Sequence, residues 1–208
     1  VLDALDTMIL MGLKEEADSA REFLATHLSF DHYMYVKNFE ITIRLLGGLL
    51  SSYQLTRDER LLKLADDLGS RLLPVFKSPT GMPYVEVNLK TGAVRNPRTN
   101  PGEIGTLLVE FGTLSKLTGK REYYDIVKNA VLQVYYRRSP LGLVGTWIDA
   151  ETGKWLDSDS HVSACIDSYY EYLAKCAILF DDQDFTRMWD SSRTALNKYL
   201  ADEASSGL

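Results

Sequence analysis

An internal repeat of about 62 residues constrains this chain more than any other feature. Three turns recur at that interval: Leu55-Thr56-Arg57-Asp58, Leu117-Thr118-Gly119-Lys120 and Leu179-Phe180-Asp181-Asp182. Each ends one helical pattern and opens the next. The segments before the turns, residues 38–55, 102–117 and 162–179, are apolar almost all round, as in Ile41-Thr-Ile-Arg-Leu-Leu-Gly-Gly-Leu-Leu50. Helices of that kind bury most of their sides. The segments after the turns, residues 59–75, 121–137 and 184–200, carry apolar residues on one face only. Each unit therefore reads as a buried inner helix, a short turn and an amphipathic outer helix.

Long loops lead from each outer helix to the next inner one. Residues 81–92 and 142–153 both place a Thr-Gly pair, Thr91-Gly92 and Thr152-Gly153, after an alternating apolar run, which is a hairpin signature. The first 30 residues fit a shorter pair, 2–12 and 15–28, which gives about four pairs. The expected fold is all-α: paired helices with β-hairpin loops forming an αα solenoid or, when closed, an αα barrel or toroid. A closed ring takes about six or seven pairs. The unit 1–208 is thus expected to be about half of a barrel, with apolar faces at both ends, and its opening in mid-pattern reads as a cut from a longer protein.

Composition excludes other classes. The longest uncharged stretch, residues 45–56, is far shorter than the roughly 20 residues of a membrane-spanning helix. With 23 Lys plus Arg against 29 Asp plus Glu, the net charge is -6, which lacks the basic footprint of nucleic-acid binding. Twelve tyrosines suit a neutral, polyhydroxylated ligand. Cys165 and Cys176 are expected on one helix, roughly 16 Å apart and too far to bridge.

The repeat also places charges. Glu40, Glu103 and Asp167 fall in the first turns of successive inner helices, 63 and 64 residues apart, so three carboxylates are expected at one end, where the hairpin loops gather. Each has two readings. Acids at helix N-termini are stabilised by the dipole, and Glu40 with Arg44 makes a favourable i,i+4 pair. Alternatively, Glu40 lies between Phe39 and Ile41 on a helix with almost no polar face, where desolvation would raise its pKa and suit a general acid. Asp167 is either catalytic or an ordinary N-terminal acid beside Ser168 and Glu171, and Glu110 is either a buried structural acid or a deep pocket member. Tyr169, Tyr170 and Tyr172 either pack between helices or form a sugar platform. His27, His32 and His161 lack the companions of a zinc site, and no Gly-rich phosphate loop or Gly-x-Ser-x-Gly elbow occurs.

Several motifs, in order, resemble one family. They are Asp3-Ala-Leu-Asp-Thr7, Asn38-Phe-Glu-Ile-Thr-Ile-Arg44, Asp67-Leu-Gly69, Val87-Asn-Leu89, Val109-Glu-Phe111 with Leu114-Ser-Lys-Leu-Thr-Gly119, and Asp167-Ser-Tyr-Tyr170. Together they resemble the class I α-1,2-mannosidases of glycoside hydrolase family 47, and residues 142–155 are closer to the ER-degradation-enhancing mannosidase-like branch and to bacterial members. The resemblance implies an (αα)7 barrel and a calcium-dependent, inverting hydrolysis of terminal α-1,2-linked mannose on high-mannose oligosaccharides and the glycoproteins that carry them. It makes Glu40 the general acid, Asp167 a catalytic carboxylate, and Arg44 and Glu103 substrate-binding residues. Cys165 stands where the ER trimming enzyme has Arg, which opens the linkage preference. The family's remaining catalytic Glu and its calcium-ligating Thr are expected beyond Leu208, so this chain is expected to hold no metal ligand and to be inactive alone. A lectin-like role in glycoprotein quality control is the other functional reading. The resemblance places the protein in the ER or Golgi lumen if eukaryotic, or in the periplasm or outside the cell if bacterial.

Overall fold

The computed structural model describes residues 1–202; the last six residues of the expected 1–208 unit lie outside the described residues. Four helix pairs follow one another. The first is α1 (Leu5–Leu10), entered through a 3-10 turn at Leu2–Ala4, with α2 (Lys14–His27). In the second, α3 (Asn38–Ile41) passes through a π-helical segment, Thr42–Leu46, into α4 (Gly47–Thr56), and α5 (Glu59–Leu72) ends in a 3-10 turn at Leu73–Phe76. The third has α6 (Pro101–Gly105) and α7 (Leu108–Thr118) as its inner row and α8 (Glu122–Tyr135) outside; the fourth is α9 (Asp167–Phe180) with α10 (Gln183–Tyr199).

The turns that carry the repeat share a backbone device. Arg57, Gly119 and Asp181, at intervals of 62 residues, each end an inner helix in the left-handed conformation. Asp58 and Asp182 then cap the outer helices, accepting from the N–H of Arg60 at 3.1 Å and of Asp184 at 2.9 Å. The inner row buries Leu46, Leu49, Phe111, Leu114, Tyr169 and Leu173 against Leu61, Leu68, Val127, Val134, Phe185 and Met188 of the outer row. Each such side chain contributes roughly 1.5–3 kcal/mol, so this shared core is what holds the pairs side by side.

Two three-stranded antiparallel sheets cap one end of the inner helices. In the first, β1 (Tyr35–Lys37) pairs with β2 (Glu86–Asn88), which pairs with β3 (Val94–Arg95); in the second, β4 (Arg98–Thr99), β5 (Trp147–Asp149) and β6 (Trp155–Asp157) repeat the order. The expected hairpins are β2–β3 and β5–β6. Their turns are pinned by Asn88 Oδ1, which accepts from Lys90 N and Thr91 N at 3.1 Å, and by Asp149 Oδ1, which accepts from Thr152 N at 2.7 Å. The entry strands β1 and β4 lead straight into α3 and α6, so each sheet joins the start of an inner helix to the loop that follows its outer partner.

Three details depart from the sequence reading. The inner helix of the fourth pair starts at Asp167, not at residue 162, because Cys165 adopts a left-handed φ of 76°. Cys165 therefore shares no helix with Cys176, and both thiols are free. The inner helix of the third pair is broken at Thr106 and Leu107, whose dihedrals leave the helical range. Apolar ends are present as expected: Leu10, Met11 and Phe23 are exposed on the first pair, and Ile178 is 84% exposed on the last inner helix.

Candidate active site

The inner helices begin side by side at the end where the sheets lie. The Gly102 N–H donates to the Cys165 carbonyl at 2.7 Å, and one turn deeper the Thr106 hydroxyl donates to Ser168 Oγ at 2.6 Å. Lys37, just before α3, and Glu40 act electrostatically on Glu103, and Glu103 and Asp167 both act on Cys165. Glu40, Glu103 and Asp167 thus occupy the first turns of three neighbouring inner helices at one mouth, as the repeat predicts.

Desolvation falls on a different carboxylate from the one expected. The Glu40 side chain is 44% exposed and accepts from Arg44 Nε at 2.8 Å, so it sits at the water-facing rim. Of the two readings of Glu40, the i,i+4 pair with Arg44 is present and the sheltered carboxylate is not: Phe39 and Ile41 occupy other positions around the helix and leave the carboxylate to the mouth. Glu103 is the sheltered one. Burial pushes its carboxyl above the usual carboxylate range, against the pull of the Thr99 hydroxyl and Lys37 and with the help of the nearby Glu40 charge. Asn100 Oδ1 caps the Glu103 N–H at 2.9 Å, and Thr99 Oγ1 lies 3.4 Å from Glu103 Oε2, so the last residue of β4 and the N-cap of α6 fix its position.

Asp167 is exposed, and its Oδ1 accepts from the Ser168 N–H at 2.8 Å. Its own N–H donates to Ser163 O at 3.0 Å. Burial, with Glu103 and Asp167, pushes the Cys165 thiol up, against Arg98. Arg98 itself stacks on Trp147, 4.5 Å from the ring centre.

Deeper in the inner row, Glu110 is a buried acid and not a pocket wall: it is 9% exposed and accepts from the Tyr172 hydroxyl at 2.8 Å. Tyr169 lies on Gly105, and the Tyr170 hydroxyl accepts from Val144 N at 3.4 Å. The tyrosine cluster is packing between helices. His161 ties a loop, with Nε2 at 3.1 Å from Thr146 Oγ1. Two features of the mouth escape the sequence. Asp3 reaches Arg44 at 3.6 Å, so Arg44 lies between two carboxylates; the Asp3-Ala-Leu-Asp6 start was the one available signal. The π segment that carries Arg44 has no signal beyond a spacing of 63 where the turns repeat at 62.

Among the described residues no three His, Cys, Asp or Glu side chains gather to hold a metal ion. No described helix is long and apolar enough to cross a membrane.

Comparison with known proteins adds a family. The family model of glycosyl hydrolase family 47 matches residues 1–207. The chain is 38% identical over 213 residues to alpha-mannosidase I MNS5 of Arabidopsis thaliana, covering 96% of this chain and 37% of that protein. It is 38% identical over 219 residues to ER degradation-enhancing alpha-mannosidase-like protein 2 of Mus musculus, again covering 96% and 37%. Among solved structures it is similar to alpha-1,2-mannosidase from Trichoderma reesei, with a TM-score of 0.87 and 28% identity over 98% of this chain and 47% of that one. The chain thus spans a little over a third of the length of these curated relatives.

Proposed function

Because the chain belongs to glycosyl hydrolase family 47, we propose that the protein carrying it hydrolyses terminal α-1,2-linked mannose on high-mannose oligosaccharides, with inversion, in the secretory pathway. The observation that carries this reading is the placement of Glu40, Glu103 and Asp167 on the first turns of three adjacent inner helices. Paired carboxylates flanking a glycosidic bond are what such hydrolysis needs.

In the proposed reaction, Glu40 protonates the glycosidic oxygen as its bond to the anomeric carbon breaks. A water attacks that carbon from the opposite face and gives its proton to a carboxylate base; Asp167 is that base or the charge that supports it. Arg44 binds the sugar beside the acid. Its 2.8 Å pair with Glu40 must be exchanged for substrate contacts before Glu40 can serve, so binding and acid activation are linked. Glu103, the sheltered carboxyl, accepts or donates to a sugar hydroxyl according to its protonation. Calcium belongs to the proposal through the family alone, and no step here depends on it.

The test is release of free mannose from Man-α-1,2-Man by the whole protein, with the anomer of the product read by NMR. Wild type should release β-mannose and Glu40→Gln should release almost none. Mannose binding without release by the wild-type protein would replace this reading with the lectin-like one.

A further inference from the structure

Beneath the mouth lies a polar contact that the proposed reaction does not use. Glu110, in the first turn of α7, is buried; its Oε1 accepts from Tyr172 on α9 at 2.8 Å, and its Oε2 is enclosed with no hydrogen-bond partner. On the other side its side chain rests against α4, in the inner helix of the second pair. A β-carbon built on Gly47 would lie 3.6 Å from Glu110 Cγ and 3.7 Å from the Thr42 carbonyl oxygen, so the carboxyl sits where the π segment joins α4. One residue therefore touches all three inner helices that carry Glu40, Glu103 and Asp167. The contact lies at the places where the first two of those helices are irregular, the π segment and the α6–α7 break. An interruption in the helical ladder gives a helix freedom to bend or shift, and a side chain packed beside the interruption limits that freedom.

We propose that Glu110 and Tyr172 are positioning residues of the active site: their hydrogen bond, with the seat on Gly47, locks the three inner helices in the register that sets the mouth carboxylates. This deepens the mannosidase reading and rests on it. The lock has a charge condition. Burial pushes the Glu110 carboxyl up to about 7, against the Tyr172 hydrogen bond and the more distant Lys175. The titratable groups that face it, Tyr172, Lys175 and Cys176, all come from α9, and the inner helix of the second pair presents Gly47 and a main-chain carbonyl. Below that range Glu110 is neutral and the lock is closed. Above it, a charge with one unpaired oxygen is enclosed between the helices, which favours their separation.

The whole protein with Glu110→Gln, Glu110→Ala and Tyr172→Phe tests the lock, using Man-α-1,2-Man. Gln is a neutral isostere and should retain kcat within about twofold at pH 6, whereas Ala and Tyr172→Phe should lower kcat on the order of tenfold with KM nearly unchanged. Glu110→Gln should also hold its activity to higher pH than wild type. Equal losses for Gln and Ala in folded protein, or wild-type kcat in all three, would overturn the proposal. Hydrogen exchange separates this from failure of the mannosidase reading. Amides of residues 38–44, 102–106 and 166–170 should lose protection together in Glu110→Ala and Tyr172→Phe and keep it in Glu110→Gln, whatever the substrate. Independent changes at the three sites would count against the lock even in an inactive protein.

Discussion

The Gly102 N–H donates to the Cys165 carbonyl at 2.7 Å, and this single bond joins the residue before Glu103 to the residue two before Asp167. It forms because Cys165 holds a φ of 76°, a conformation that costs a non-glycine residue roughly 1–2 kcal/mol. That cost places the start of α9 against the start of α6 and brings two mouth carboxylates onto adjacent helix ends.

One turn deeper the same two helices touch through Gly105 and Tyr169. A β-carbon at Gly105 would lie 2.6 Å from Tyr169 Cδ2, so the ring, whose own Cα is 3.4 Å away, blocks it. Gly105→Ala is expected to destabilise the fold by about 1–3 kcal/mol. Gly47 lies in a helix too, but its β-carbon would find only ordinary contacts, the shortest at 3.6 Å. Gly47→Ala should stabilise by up to about 1 kcal/mol through helix propensity. Urea denaturation of both variants checks the opposite signs.

Stability should fall with rising pH through Glu110. Its carboxyl is raised from an ordinary 4.5 to about 7 by burial, so between those values the folded state keeps a proton that the unfolded chain has released. The penalty starts near the unfolded value, grows through that window and is complete above about 7, where it amounts to roughly 3 kcal/mol. Glu110→Gln should remove this slope and gain on wild type above neutrality. Urea midpoints of both proteins at several pH values measure it, and parallel curves would contradict the neutral, buried carboxyl.

Asp182 gathers three duties at the last turn. It caps α10 through Asp184 N at 2.9 Å, accepts from the Tyr124 hydroxyl at 2.6 Å and pairs with Lys128 at 2.6 Å. Burial pushes its carboxyl up, but Lys128 and Tyr124 pull harder and hold it below the usual range. Asp182→Ala should cost about 2–4 kcal/mol, since it removes a cap and leaves the Tyr124 hydroxyl without its acceptor, while Lys128 keeps Asp184 at 2.7 Å. The stabilisation is present above the unfolded carboxylate range and should be lost as acid carries the pH down through the depressed folded value. Thermal unfolding of wild type and variant should therefore converge at low pH.

The helix pairs, hairpins and three mouth positions were legible because each follows from periodicity: Arg57, Gly119 and Asp181 mark the same point of every unit. Burial of individual charges was not. Glu40 has the more apolar sequence neighbours, yet Glu103 is the sheltered carboxyl, because Thr99 and Asn100 fold over it from a strand that pairs with a distant hairpin. The irregularities were present only as small excesses in spacing. Glu40 stands 17 residues before its turn residue Arg57, Glu103 stands 16 before Gly119, and Asp167 stands 14 before Asp181. The π segment and the α6–α7 break lie inside the two longer intervals, and α9 fills the shortest as an uninterrupted helix.

Arg44 is expected to be sensitive to the most conservative change. Its Nε reaches Glu40 at 2.8 Å while Nη1 lies 3.6 Å from Asp3, a fork that spans two carboxylates from one rigid plane. Lys carries the same charge on a single nitrogen and can face only one of them. Both pairs are more than half exposed on the arginine side, so they contribute little to stability, and Arg44→Lys should leave the urea midpoint nearly unchanged. What it loses is orientation: two anchors hold the guanidinium plane, and in the proposed reaction a substrate sugar displaces Glu40 from that defined geometry. In the whole protein kcat/KM on Man-α-1,2-Man should fall on the order of tenfold or more. A variant with unchanged kcat/KM would show that charge alone suffices at this position and that the Asp3 anchor has no part in catalysis.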